Sequence, residues 1–478
     1  MKKFFFLTLC LVCCGIAAAQ TYTLQQLLDS ARQNNITLRN AQRSVKSASE
    51  QRKEAFTKYF PNVSGTGFWF NANRGMSKME LKPSELVPSE LSGMVSRFSQ
   101  SIPPEIVTML SQMVPTEVMA ALSNPISLTM MKNGTMAGVN AVQPVFAGGQ
   151  IVNGNRLAKV GEDVSRLQLQ LSDNEVEKTV TQYYWQLVSL EEKLKTIAAA
   201  DSLLSDINKN VEVAVKAGVV NRNDLLQVQL RQNDLSSQRL RLCNGIGIVK
   251  ALLAQYCGLK PTLDPSQGGV EGGYSFDIAL PIIDQQAIIL PSLDREGQGE
   301  SLSRLPEYQL LEKQVEATNL QRKITIGKNL PTVAVGAGYH YHNMMENDRT
   351  FAMIFATVSL PISDWWGGSH AIKRKKIEYE KAVDELADNT ELLKIRMQNA
   401  HNSVIEAYEQ LLLAEKGIEQ AAENLRLNRD FYKAGTCTMS NLLEAQLLYQ
   451  QAQDSRTDAW ANYQNRLLDY QQASGCEK

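Results

Sequence analysis

Few residues in this chain have the types and spacing that chemistry needs. Histidine occurs at only four positions, His340, His342, His370 and His401. His340 and His342 share one face of a predicted strand, and Glu346 and Asp348 follow in the adjoining turn. Two imidazoles with two carboxylates resemble a zinc donor set, although a wetted loop gives the same pattern and is the preferred reading. Of seven cysteines, Cys10, Cys13 and Cys14 crowd the N-terminus, and Cys243, Cys257, Cys437 and Cys476 lack metal-ligand spacing. Cys243 and Cys257 fall in helical patterns, which predicts buried small side chains. Eight methionines between about Arg74 and Asn133 offer thioether sulfur suited to Cu(I). Ile106, Met109, Leu110 and Met113 recur there at helical spacing, so packing is the preferred account. No Ser/His/Asp arrangement, phosphate loop or carboxylate pair stands out. The chain reads as a non-enzyme with no cofactor.

Composition narrows the class further. Forty-nine Lys and Arg against fifty Asp and Glu leave a net charge of -1, which gives no footprint for nucleic acid. Met1 to Gln20 has the plan of a secretory signal. Lys2 and Lys3 are followed by an apolar stretch to Ile16, then by Ala17-Ala18-Ala19 at the cleavage site. Lipid attachment at Cys14 is the alternative, since Leu11-Val12-Cys13 precedes it, with Cys13 where a small residue is usual. Beyond the signal no run of 18 apolar residues exists, so a membrane-spanning helix is not predicted, whereas entry as strands remains open.

The elements that organise these residues are duplicated. Lys216-Ala217-Gly218 precedes Asp224-Leu225-Leu226-Gln227, and Lys433-Ala434-Gly435 precedes Asn441-Leu442-Leu443-Glu444 at a constant offset of 217. Gln51-Arg52-Lys53 with Pro61 recurs as Gln321-Arg322-Lys323 with Pro331, at an offset of 270. The difference of 53 residues lies in the segment from about 74 to 133, which reads as a loop insertion in the first hairpin. Such self-similarity predicts a repeated architecture. Thr23 and Gln26 form a capping box opening the first helix. Residues 369 to 433 lack proline and carry heptad-like apolar positions, which predicts a helix about 90 Å long of the coiled-coil kind. A Gly- and Pro-rich stretch from 259 to about 300 links the halves. The resulting division is a signal over 1–19, a first repeat over 20–258, the linker over 259–300 and a second repeat over 301–478.

Each half also has two strand candidates. Val63, Gly65, Gly67 and Trp69 share one face, as do their repeats Val333, Val335, Ala337 and Tyr339. Val139 and Ala141 correspond to Ala356 and Val358. The opposite face carries Ser64, Thr66, Asn140, His340, Thr357 and Ser359, interrupted by Phe68, Phe70 and Phe355. Tyr59, Phe60, Trp365 and Trp366 would mark one membrane interface, and Trp69, Phe70, Tyr339 and Tyr341 the other. Four strands cannot close a barrel, which needs about eight, and an open edge in lipid leaves backbone groups unpaired. Several chains must therefore share one barrel. A periplasmic coiled-coil structural protein with two soluble hairpins is the competing reading.

Taken together, Thr23-Leu24…Ala31…Asn34-Asn35, Gln143-Pro144-Val145-Phe146…Gly148-Gly149, Leu360-Pro361-Ile362…Gly367-Gly368 and the two Ala-Gly turns resemble the TolC family of trimeric outer-membrane efflux channels. The resemblance implies an α+β membrane protein in which each protomer gives four strands to a shared twelve-stranded barrel, continued by a long periplasmic helical tunnel. It implies a homotrimer in outer-membrane lipid that passively conducts cargo from an inner-membrane pump through a periplasmic membrane-fusion adaptor, in efflux or type I secretion. Under it, Ala217, Gly218 and Val219 with Ala434, Gly435 and Thr436 become adaptor-docking tips. The residues alone read equally well as helix C-caps. Asp224, Asn441, Glu444 and Tyr432 match periplasmic gate positions. Cys437 stands where a gate arginine is expected, and Arg222 is a candidate substitute.

Overall fold

The computed structural model describes residues 20–76, 79–81, 126–128, 131–259, 276–281, 302–343, 349–362 and 364–475. The signal with Cys14, most of the Met-rich insertion, Glu346, Asp348 and Cys476 lie outside these residues. In chain order the elements are β1 (Gln20–Tyr22), α1 (Leu24–Asn34), α2 (Ile36–Thr57), β2 (Asn62–Met76), β3 (Met79–Leu81), β4 (Ile126–Leu128), β5 (Met131–Ala147), α3 (Gln150–Lys216) and α4 (Arg222–Cys257). The second half supplies β6 (Phe276–Ile278), α5 (Pro306–Lys328), β7 (Thr332–His342), β8 (Arg349–Ser359), α6 (Asp364–Lys433) and α7 (Met439–Ser474).

The duplication is visible in the element bounds. α4 and α7 each have 36 residues and begin and end at the offset of 217. Their N-caps, Asn221 and Thr438, obey the same offset, as do Gly258 and Gly475, which close them in the left-handed region. Short polar side chains satisfy the orphan N–H groups at one end, and glycine permits positive φ at the other. α1 opens with the complete capping box, Thr23 Oγ1 accepting from the Gln26 N–H and Gln26 Oε1 from the Thr23 N–H.

The chain divides into two compact units, and both repeats contribute to each. Unit 1 gathers residues 20–43, 168–309 and 389–475 of the described chain. Its main core joins Leu27, Leu28 and Ala31 of α1 to Val176, Val180, Tyr184 and Leu187 of α3, and to Val249, Leu253 and Cys257 of α4. Phe276 and Ile278 of β6 join the same core, and β6 pairs with β1 in parallel. Cys257 is buried as expected, and burial alone pushes its thiol up to about 12. Cys243 is exposed, against expectation. Helical spacing fixes which face a residue takes only relative to the contact seam, and Cys243 lies off that seam.

Unit 2 comprises residues 44–167 and 310–388. Its sheet is antiparallel in the order β2-β5-β7-β8, so the two hairpins lie side by side through β5 and β7. Among the described residues β2 and β8 are its unpaired edges. The helices of this unit pack through Leu157 and Val160 of α3 on Leu320 and Ile324 of α5. The buried carboxylate of Glu162 is clamped by Arg166 and, at 3.0 Å, by Arg52 of α2. Two cationic partners offset the desolvation that a lone buried carboxylate would suffer.

Glycine is required where the hairpin hands over to α3. Gly148 has φ +58, and a Cβ there would lie 2.2 Å from the Gly327 carbonyl oxygen. A Cβ on Gly327 would lie 2.4 Å from the Gly148 oxygen. The backbones of the two repeats meet at this point with no room for a side chain, and Gln150 Nε2 donates to the same Gly327 oxygen at 3.3 Å. Gly327→Ala is expected to destabilise unit 2 by about 2 kcal/mol or more, as overpacking against backbone cannot relax. Gly161→Ala, with nothing within 4 Å of its Cβ, should stabilise by about 0.5–1 kcal/mol through helix propensity. Thermal unfolding of the purified protein in detergent, followed by tryptophan fluorescence, measures both.

Candidate functional site

The sheet of unit 2 defines what surface that unit offers. Register carries each apolar residue across the sheet. Val63 faces Ala141, Ala141 faces Ala337, and Ala337 faces Ile354; in the next row Gly65, Val139, Tyr339 and Ala352 align. Trp69, Val139, Tyr339, Ile354 and Val358 are all exposed on this face, Ile354 at 89%. Apolar side chains in one contiguous field open to the surroundings mark a contact with something other than water.

The opposite face carries Ser64, Thr66, Asn140, His340 and Thr357, together with a set of flat rings. Phe68 and Phe70 stack at 5.5 Å, on the same face as the strand alternation places them. The strand period of two puts neighbours on opposite faces, which separates Phe70 from Trp69. The His340 ring is buried and stacks on Phe351 at 5.3 Å, while His342 meets the edge of Phe351 at 5.8 Å. A Cβ on Gly138 would lie 2.2 Å from His340 Nδ1, and one on Gly338 would lie 2.6 Å from its Nε2. The imidazole therefore lies flat over two glycines, with its nitrogens against backbone. Among the described residues no three His, Cys, Asp or Glu side chains converge to hold a metal.

In unit 1 the two Ala-Gly turns are built alike. The Val219 N–H donates to the Ala214 oxygen at 2.9 Å and the Gly218 N–H to the Val215 oxygen at 3.0 Å, with Gly218 at φ +75. The second turn repeats this with Thr436 to Phe431 and Gly435 to Tyr432, both at 3.0 Å, and Gly435 at φ +73. Both are Schellman motifs, which need the left-handed residue that only glycine adopts without strain. Asn221 and Thr438, the N-caps that follow, were not marked in the sequence pattern, although an Asn or Thr shortly after the glycine was available as a signal.

The four gate candidates do not form one cluster. Tyr432 is half-buried beside Met439, Leu442, Val211 and Val228. Burial first, and then the negative charge of Asp224, push its phenol upward, so Tyr432 stays protonated with an O–H to donate. The structure thus brings Asp224 of one repeat near Tyr432 of the other. Asn441 and Glu444 are instead exposed on α7, away from its buried Leu442, Ala445 and Gln446. Cys437 Sγ donates to Asn428 Oδ1 at 3.4 Å, which ties the second turn to α6. Arg222 is exposed at the first residue of α4.

A polar seam between α4 and α7 escaped the sequence pattern. Arg231 Nη2 donates to Gln450 Oε1 at 3.0 Å, Gln450 Nε2 donates to Gln238 Oε1 at 3.1 Å, and Ser440 Oγ donates to Gln227 Oε1 at 3.1 Å. Gln450 and Gln446 are both buried. Further along, Asp458 accepts from Ser189 and Lys193 of α3, each at 2.7 Å. Asp454, one turn earlier, has a buried Oδ1 without a partner.

These features meet known proteins as follows. Residues 299–475 match the model of the family described as outer membrane efflux protein. The matched residues fall almost wholly in the second repeat, in agreement with the likeness drawn from the motifs. No curated protein sequence matches the chain. Three solved structures share the fold of this chain. The outer membrane protein VceC of Vibrio cholerae is 15% identical with a TM-score of 0.69, over 95% of this chain and 96% of that one. The outer membrane channel CmeC of Campylobacter jejuni is 14% identical with a TM-score of 0.72, over 95% and 85%. The MtrE outer membrane channel of Neisseria gonorrhoeae is 14% identical with a TM-score of 0.70, over 95% and 88%.

One titration in unit 1 is checkable. Burial, reinforced by the Asp458 charge and opposed by Lys193, raises Asp454 from the ordinary aspartate value of 3.8 to about 6. The folded protein therefore keeps a proton between those values that the unfolded chain releases. Stability falls as pH rises through that window, and the contribution is gone above about 6. Asp454→Asn should stabilise the fold at pH near 7.5 by on the order of 1 kcal/mol after allowance for solvent screening, seen as a higher melting temperature, and flatten the pH dependence over the window. Melting curves of both proteins from about pH 4 to pH 8 supply the comparison.

Proposed function

We propose that this chain is the outer-membrane exit channel of a tripartite efflux or type I secretion system. It conducts substrates passively from an inner-membrane pump and a periplasmic adaptor to the outside, without catalysis of its own. The observation that carries this reading is the four-stranded sheet of unit 2, with one exposed apolar face and two unpaired edges. In lipid each unpaired backbone group costs several kcal/mol, so the edges must be closed by strands of other copies. A homotrimer joining β8 of one protomer to β2 of the next gives a barrel of twelve strands, with the apolar face toward lipid and the Ser64, Asn140, His340 and Thr357 face toward the lumen. The division into two repeats joined by residues 259–300 belongs to this reading, with the helices of unit 1 forming the periplasmic tunnel.

Glu444 and Asn441 are exposed on α7 near its N-terminus, where three copies of Glu444 about an axis would form an acidic ring favouring cations. Asp224 and Tyr432 flank it as positioning residues of the closed state. The Ala217-Gly218-Val219 and Ala434-Gly435-Thr436 turns are the surfaces that meet the adaptor.

Reconstitution in planar bilayers tests the proposal. The wild type should require detergent for extraction, run as a trimer and conduct ions with cation preference. Glu444→Gln should lower the cation-to-anion permeability ratio by about twofold or more. Extraction without detergent, or a monomer in membranes, would sink the channel; an unchanged ratio would remove Glu444 from the constriction.

A further inference from the structure

Charge is spread unevenly along the helices of unit 2. Register places Asn62, Ala147, Thr332 and Ser359 at one end of the sheet, so α2, α3, α5 and α6 all attach to it there. Over the 12 residues of each helix nearest the sheet, 46–57, 150–161, 317–328 and 364–375, the sequence has eleven Lys and Arg against three Asp and Glu. The whole chain has 49 against 50. Neither α3 nor α5 has an acidic residue in its stretch. Further from the sheet the signs mix again, as in the pairs Lys376–Glu380 and Lys381–Glu385 of α6. A face that is merely solvated interleaves both signs, whereas one sign confined to one level calls for an anionic partner.

The cations also stand in a fixed relation to apolar side chains. Phe56, Val152, Ile326 and Trp366 are exposed at the sheet-side ends of the four helices, Trp366 at 85%. Lys53 lies three residues deeper than Phe56, and Lys323 three deeper than Ile326. Arg156 and Lys159 follow Val152 by four and seven, and Lys373 follows Trp366 by seven. Those spacings put each cation on the face of its apolar neighbour, roughly 5–10 Å further from the sheet. The interfacial layer of a bilayer is about 5–8 Å thick per leaflet, so the apolar side chain and the cation bracket one layer of headgroups. Among the described residues Arg156, Lys159, Lys323 and Lys373 are exposed and enter no ion pair. Lys53 Nζ lies 2.7 Å from Glu50 Oε1.

We infer that the four helix ends form a basic collar that binds the phosphates of anionic phospholipids in the leaflet on the helix side of the sheet. This rests on the channel reading above and adds which lipid the protein selects and with which side chains. Continuity and charge identify the occupant. The exposed apolar face of the sheet runs through Val145, Leu360 and Ile362, all exposed, into the apolar ends of the helices. Just beyond them, four cations free of ion pairs are available to phosphate in every protomer. Long Lys and Arg stems lie along apolar surface while their heads reach a polar layer. Each such cation at an anionic surface strengthens attachment about fivefold.

The test uses the full-length protein in nanodiscs of mixed phosphatidylcholine and phosphatidylglycerol, released into neutral detergent for native mass spectrometry. The wild type should retain phosphatidylglycerol over phosphatidylcholine by about tenfold or more, and lose that preference as salt rises to about 0.5 M. Arg156→Gln, Lys159→Gln, Lys323→Gln and Lys373→Gln together should abolish it. Lys195→Gln, Lys209→Gln, Lys394→Gln and Lys416→Gln together should leave it intact. The wild-type preference and its salt dependence decide by themselves if the fourfold collar variant fails to fold. A wild type without lipid preference, or a preference that survives in the folded collar variant, would overturn the inference. So would a changed cation-to-anion permeability ratio in that variant, which would put these cations in the conduit. Binding of soluble peptidoglycan fragments in place of lipid would assign the collar to the cell wall and also overturn it. Failure of the channel reading would look different, as a wild type that neither conducts nor inserts.

Discussion

Backbone hydrogen bonding at the two edges of the unit 2 sheet is the constraint that everything else obeys. Four antiparallel strands satisfy one another internally, but β2 and β8 each keep an outer row of N–H and C=O groups. Water can satisfy such a row, whereas hydrocarbon cannot. The exposed apolar face of the same sheet, with Ile354, Val358, Trp69 and Tyr339, argues for hydrocarbon. The two facts conflict for a single chain and agree for a closed ring of chains. In the proposed channel, symmetry, membrane insertion and a central lumen all follow from that one conflict.

Duplication then explains how one chain builds both a wall and a conduit. α4 and α7 coincide residue for residue at a fixed offset, down to their N-caps and their left-handed C-terminal glycines. Two copies of one motif can form a near-symmetric wall, and each copy is then free to change chemistry where symmetry is not needed. The turns show this divergence. Asn221 caps one helix and Thr438 the other, Val219 meets Thr436, and Asp224 meets Asn441. Backbone conformation is held constant by glycine, while the side chains beside it are free to vary.

Between the copies the contact is not uniformly apolar. Leu442 and Met439 pack on Val228 and Val211 near the turns, but Arg231, Gln238 and the buried Gln450 share a part-buried hydrogen-bonded seam further along. Buried polar groups of this kind give up some stability and restrict how α4 and α7 can slide, since a shift would leave them unpaired. A helix pair with apolar packing at one end and polar pairing along its length has a defined register. Arg231 Nε and Gln446 Oε1 are buried without a hydrogen-bond partner, as is Asp454 Oδ1 further along α7 near Asp458 and Lys193.

The sequence by itself determined the repeat, the element types and most of their limits. Its two offsets, the Ala-Gly turns, the Thr23 capping box and the alternation in the strands are local signals, and local backbone physics converts them directly into helices, turns and faces. It also gave the apolar rows of the sheet, because a period of two leaves no choice once a strand is set. Only the tertiary structure decided the order β2-β5-β7-β8, the contact of Gly148 with Gly327, the flat burial of His340 over Gly138 and Gly338, and the pairing of Arg231 with Gln450. Those depend on which surfaces meet across hundreds of residues. The same limit explains why Cys243 lies exposed. Periodicity names the faces of an element, and packing alone chooses what each face touches.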